Sequence, residues 1–204
     1  MKTIVFKVNP RRPDPALIAC AARTVREGGL VAFPTETVYG LAANLLDAAA
    51  IERIYRVKKR SRDKPLTVHI SDLAMIRKMG CRINRNAKKL IDAFWPGPLT
   101  IVLKSSKGKK IGFRMPANKI ALWLIAASKV PVVAPSANLS GHKAPKSARA
   151  VLKELGGKIA MLLDGGKTAF GIESTVVDMT KEPPVILREG AINAKELFGE
   201  LGRA

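Results

Sequence analysis

Acidic side chains are scarce in this chain: 16 Asp and Glu stand against 36 Lys and Arg among 204 residues, a formal net charge of +20. Between Asp92 and Glu154 there is no acid at all. Lys104, Lys107, Lys109, Lys110, Arg114, Lys119, Lys129, Lys143, Lys146, Arg149 and Lys153 all fall in that stretch. A surface charged only for solubility would not exclude one sign over so long a run, and the field suits polyanions such as nucleotides or nucleic acid. Cysteine and histidine are rarer still. Cys20 and Cys81 lie far apart without a C-x-x-C spacing, and His69 and His142 are the only histidines. A zinc site is therefore not expected, and two buried thiols are. No apolar run reaches bilayer length. The start, MKTIVFKVNPRRPDP, has too short an apolar core for a signal peptide and no small-residue cleavage pattern. Residence in the cytoplasm, without a membrane partner, is expected.

What is present is a sizeable apolar fraction, 47%, in a length that suits one α/β domain. Periodicity alternates between strand and helix. TIVFKV opens as a strand, and a helix follows from Asp14 as N-cap to Gly28 at its C-terminal end. LVAF is a short buried strand. A second helix is capped by Asp47 and carries Ile51, Ile54, Tyr55 and Lys58 at helical spacing. PLTVHI is a strand, and Ser71 and Asn84 read as caps of two short helices. LTIVL and KIGFRM are strands, IALWLIAAS a helix, VPVV a strand, and Ala148–Leu155 a helix. KIAMLLD, STVVDM and PVILRE are strands and NAKELFGEL a final helix. Strands and helices in alternation predict an α/β sandwich, and the late strands without helices between them predict a mixed sheet. The chain shows no repeat and no linker, so a single domain over residues 1–204 is expected.

Several stretches carry candidate chemistry. APSANLSG, Ala134 to Gly141, follows the strand VPVV and offers small hydroxyls, an amide and glycine. An ordinary turn uses the same residues, but so does a loop that lets a ligand approach the backbone closely. DGGKT, Asp164 to Thr168, imitates the end of a Walker A loop. The glycine required five positions before Gly166 is Met161, so a turn explains it better. FPTETVYGLA places Thr35, Glu36, Thr37 and Tyr39 at a strand end, where open α/β sheets bind ligands. Lys58 and Arg60, two apart near a helix C-terminus, either stabilise that end or clamp phosphates. His69 in an apolar strand reads as a core histidine. Arg114 has no acidic partner nearby in sequence, so either solvent or a ligand carboxylate would face it.

Taken together, PTETVYGLA, KKRSRDKPLTVHI, FWPGPLTIVL, FRMP, APSANLSG, DGG...GIESTVVD and LREGAI resemble the YrdC/YciO family in order and spacing, over roughly Gly28 to Ile192. The resemblance implies a twisted mixed sheet flanked by helices, with a positively charged central cavity and no additional C-terminal domain. It also implies an enzyme, a nucleotidyltransferase. L-Threonine, bicarbonate and ATP would give threonylcarbamoyl-AMP and pyrophosphate, and a partner transferase complex would carry the threonylcarbamoyl group to the adenosine beside the anticodon of tRNA. Lys58 and Arg60 match the family's K-x-R element, and Ser136 and Asn138 its S-x-N element, both on ATP phosphates. Arg188 matches a nucleotide-binding arginine. Lys64, Lys110 and Ala144 stand at ATP-contact positions where asparagine, threonine and serine are usual. Thr37, His69, Arg114, the Ala134 backbone and Ser174 fall where L-threonine is held, with Arg114 suited to its carboxylate. Catalysis would rest on Lys58 and Arg60, with Mg²⁺ carried by ATP and no metal site of the protein's own. A non-catalytic module binding double-stranded RNA or ribosomes is the alternative the charge supports. The carbamoyl-transfer chemistry of related hydrogenase-maturation domains goes with zinc-binding cysteine clusters that this chain lacks.

Overall fold

Short runs of small and branched apolar residues can cover both faces of a sheet at once, and this chain uses them so. In the computed structural model, which describes residues 2–202, the elements are β1 (Ile4–Lys7), α1 (Pro15–Arg26), β2 (Val31–Phe33), β3 (Gly40–Asn44), α2 (Ala48–Lys58), β4 (Val68–His69), α3 (Ala74–Lys78), α4 (Arg85–Phe94), β5 (Leu99–Lys104), β6 (Lys110–Arg114), α5 (Lys119–Ser128), β7 (Val132–Val133), α6 (Ala148–Leu155), β8 (Met161–Asp164), β9 (Thr175–Asp178), β10 (Val185–Arg188) and α7 (Ala194–Gly202). Among the described residues the strands form one mixed sheet in the order β1-β8-β2-β3-β7-β4-β6-β5-β9-β10. The pairs β1–β8, β2–β8, β4–β6 and β5–β9 are parallel, the others antiparallel.

Successive strand residues point to opposite faces, and the two cores follow that rule. Val31, Phe33, Ala42, Val132, Met161 and Leu163 enter one core with Ile18, Ala21, Val25, Ile120 and Leu124 of α1 and α5. Ala32, Leu41, Ala43, Val133 and Leu162 enter the larger core opposite, with Ile54, Ile76, Leu90, Val151 and Leu197 from α2, α3, α4, α6 and α7. No helix among the described residues is long and apolar enough to cross a membrane.

The caps at Asp14, Asp47 and Asn84 are in place, each carboxylate or amide oxygen accepting from the first turn. Ser71 is not a cap: α3 begins after Leu73, and Asp72 accepts from Ala74 instead. Gly28 lies one residue past the Glu27 C-cap of α1, in the left-handed region that suits glycine. PLTVHI contributes only Val68–His69 as strand; Pro65 and Thr67 before it line the cavity, and the Thr67 carbonyl accepts from the Ala134 amide at 3.0 Å. β3 is unanticipated. GLAAN neither alternates nor carries β-branched residues, yet it is wholly buried between β2 and β7. The two thiols also differ: Cys81 is buried, Cys20 only half so.

The sheet order converges on one edge. His69 and Arg114 are register partners at the ends of parallel β4 and β6. Antiparallel β5 begins beside the end of β6, and β9 starts alongside β5 with Leu99 opposite Thr175. The end of β10 therefore returns Arg188 to that edge.

Candidate active site

A hollow opens at this edge, and Arg60, His69, Arg114, Ser136, Ser174 and Arg188 share its wall with Ala134, Thr35, Thr67, Thr100, Tyr39 and Glu173. Three guanidinium groups meet there, of which Arg114 is paired with Glu36 and Arg188 with Glu173.

Lys58 does not stand in the wall but behind it. It is 1% exposed. Its Nζ donates to the Ser136 carbonyl, to the Asn138 carbonyl at 2.5 Å and to Asn138 Oδ1 at 3.5 Å, so its three protons are spent on the loop after β7. The Lys58 carbonyl in turn accepts from the Ser140 amide at 2.7 Å. Burial, and then the charge of Arg60, pull the Lys58 pKa down to about 8. Arg60 is half-buried in the wall, with Nε on the Lys64 carbonyl at 3.1 Å and Nη2 on the Pro65 carbonyl at 3.0 Å.

Arg114 has the internal acidic partner that its sequence surroundings do not offer. Nη2 donates to Glu36 Oε1 and to the Thr37 hydroxyl, each at 2.8 Å, and both charged side chains are almost fully buried. Glu36 Oε2 and His69 Nδ1 are buried without a hydrogen-bond partner. Burial drives the His69 pKa down to about 3, and the Arg114 charge adds to the effect. The imidazole is therefore neutral at ordinary pH, and its ring borders the cavity while the unpartnered Nδ1 is itself sealed from solvent.

Arg188 folds against the segment before β9. Nε and Nη2 donate to the Ser174 carbonyl at 3.1 and 2.9 Å, and Nη1 lies 3.1 Å from Glu173. The Ser174 hydroxyl exchanges a 2.9 Å bond with Thr100. Gly190 makes this fold-back feasible, since a Cβ there would meet the Glu173 carbonyl at 2.3 Å. The remaining sequence candidates lie elsewhere. Lys110 begins β6, at the far end from Arg114, with Nζ on Asp178 at 2.7 Å. Lys64 is exposed and meets the cavity region only through its carbonyl. Ala144 is half-buried outside the wall.

The family designated Sua5_yciO_yrdC, described as "Telomere recombination", matches residues 23–190. The chain belongs to the Sua5/YciO/YrdC family. Relatives named threonylcarbamoyl-AMP synthase include one from Pyrococcus abyssi, 44% identical over 98% of this chain and 61% of its own length. Another, from Bacillus subtilis, is 42% identical over 93% of this chain and 57% of its own length. This Sua5/YciO/YrdC chain thus spans about three-fifths of these relatives. The crystal structure of P. abyssi Sua5 complexed with L-threonine superposes with a TM-score of 0.93 at 44% identity, covering 98% of this chain and 61% of that one.

Three residues in or beside the hollow escape the sequence reading of roles. Glu36 is legible as a strand-end carboxylate, but its partner Arg114 lies 78 positions away. Thr100 is hidden inside an apolar strand, LTIVL, and nothing in that run marks its hydroxyl. Glu173 is the cavity's carboxylate, and only its place beside Ser174 could have singled it out.

Proposed function

We propose that this chain acts as a threonylcarbamoyl-AMP synthase. The threonine amine adds to bicarbonate with loss of water, giving a carbamate. A carbamate oxygen then attacks the α-phosphorus of ATP, the bond to the bridging oxygen breaks, and pyrophosphate leaves. A separate transferase complex would pass the threonylcarbamoyl group from the adenylate to tRNA. The observation that carries this reading is the meeting of three guanidinium groups, a neutral histidine and small hydroxyls in one hollow of this fold. It is supported by the names of the relatives and by the L-threonine in the P. abyssi structure.

Every reactant is anionic, and two unit charges 4 Å apart repel by about 4 kcal/mol at the effective dielectric of a protein surface. Arg60 and Arg188 offset that repulsion at the triphosphate, with the Ser136 and Asn138 loop supplying close, small polar contacts. Lys58 adds its charge from beneath while it fixes that loop. Arg114 keeps Nη1 for the threonine carboxylate. Thr37, His69, the Ala134 backbone and Ser174 surround the rest of the amino acid. Catalysis is then positioning and electrostatic stabilisation without a covalent intermediate on the enzyme. Magnesium enters with ATP as part of the substrate, since the cavity's one carboxylate is taken up by Arg188.

The test is direct. The protein incubated with ATP, Mg²⁺, labelled bicarbonate and L-threonine should release pyrophosphate and form a labelled adenylate. Pyrophosphate release that ignores threonine, or no release at all, overturns the assignment.

A further inference from the structure

Glu154 is the first acid after the long basic run, and it stands in the last turn of α6. A carboxylate there faces the negative end of the helix macrodipole, an unfavourable place for it. Its two oxygens are nevertheless both engaged, and both point at the same loop. Oε2 accepts from the Leu139 amide at 2.7 Å, and Oε1 lies 3.3 Å from His142 Nδ1. The loop closes on itself between those points. Asn138 Nδ2 donates to the His142 carbonyl at 2.7 Å, and the His142 amide to the Leu139 carbonyl at 3.1 Å. On the other side the same loop is held by Lys58, through the Ser136 and Asn138 carbonyls and the Ser140 amide.

The start of the loop is seated by Ala137 in the core and by its amide on the Tyr39 carbonyl at 2.8 Å, whereas the turn that follows, with Gly141 in the left-handed region, is half-buried or exposed and depends on polar contacts. Two opposite charges grip it from two elements, Lys58 at the end of α2 and Glu154 at the end of α6. We infer that Glu154 is a positioning residue for nucleotide binding: it presets the Ser136–Asn138 loop against which the phosphates of ATP lie, without touching substrate itself. The inference rests on the synthase reading for its kinetic consequence, while its structural part concerns the loop alone. A charge-assisted hydrogen bond to a backbone amide is among the stronger contacts available for such a task.

Glu154→Ala removes both contacts, whereas Glu154→Gln keeps an amide oxygen for the Leu139 N–H. The expected result for Glu154→Ala is a rise in the KM for ATP of about tenfold, with the KM for L-threonine within about twofold of the parent. Hydrogen exchange at the Leu139 amide should become faster in this variant, and Glu154→Gln should restore most of the ATP affinity and of the protection. An unchanged ATP KM in Glu154→Ala, an equal rise for both substrates, or a Glu154→Gln variant as impaired as Glu154→Ala overturns the inference. So does a Glu154→Ala chain that fails to fold, since that assigns the residue a global role. If the parent protein releases no pyrophosphate, the synthase reading fails separately. Calorimetric binding of MgATP to parent and variants, with the Leu139 exchange, then decides the role of Glu154.

Discussion

The Glu36–Arg114 pair lies almost wholly out of water, so removing one partner strands the other charge in the interior. Arg114→Ala should therefore lower stability by about 3–5 kcal/mol in urea titrations, and should raise the KM for L-threonine well above any change for ATP. Equal effects on the two substrates would contradict its place at the threonine carboxylate. His69 makes a pH prediction. Its folded pKa, about 3, lies below the ordinary 6.5, so the folded state binds fewer protons between those values. Stability is then lost as pH falls from 6.5 toward 3, and His69→Gln should flatten that slope in acid denaturation profiles. Lys58 has the same sign in an alkaline window. Its pKa falls from 10.5 to about 8, so stability rises as pH climbs from 8 to 10.5 while the ammonium that grips the loop is lost. ATP affinity should weaken above pH 8 even as the fold grows more stable, and a titration of MgATP binding across that range checks it. None of these pairings was legible from spacing. Arg114 looked unpartnered because its acid arrives from 78 residues away, and Lys58 looked like a phosphate clamp because a helical position does not say what covers it.

Elements carry the site by where they end. α2 is fixed at its start by Asp47, whose carboxylate accepts from Ala49 and Ala50, and Lys58 projects from its last turn. Asp47→Ala should cost about 1 kcal/mol of stability, measurable in thermal melts. β10 reaches the cavity only because Gly190 lets the chain press on the Glu173 and Ser174 backbone. A methyl group there collides with main-chain atoms that cannot swing aside. Gly190→Ala should therefore destabilise by about 1–3 kcal/mol and weaken nucleotide binding by drawing Arg188 off Ser174; normal affinity in a folded variant would contradict this link. Most element types were readable, since caps at Asp14, Asp47 and Asn84 and runs such as LTIVL carry local signals. β3 was not, because GLAAN owes its strand state to the neighbours β2 and β7 rather than to propensity. Ser71 misled because Asp72, one residue on, is the better acceptor for the start of α3.

Across the whole molecule, a net charge of +20 is a self-repulsion that the fold must tolerate. Salt should screen it, so Tm should rise from low to physiological ionic strength; a Tm that falls or stays flat would mean that attractive ion pairs outweigh the repulsion. The composition points to an anionic partner and the motifs made the family legible, but neither could show that three arginines from α2's exit, β6 and β10 would meet in one hollow. The wall of that hollow is drawn from residues as far apart in sequence as Thr35 and Arg188. A ribosome translating this message must therefore deliver every residue up to Arg188 before the pocket can exist. Chains cut short by stalled synthesis before Arg188 would be unable to assemble it, however well their earlier strands had folded.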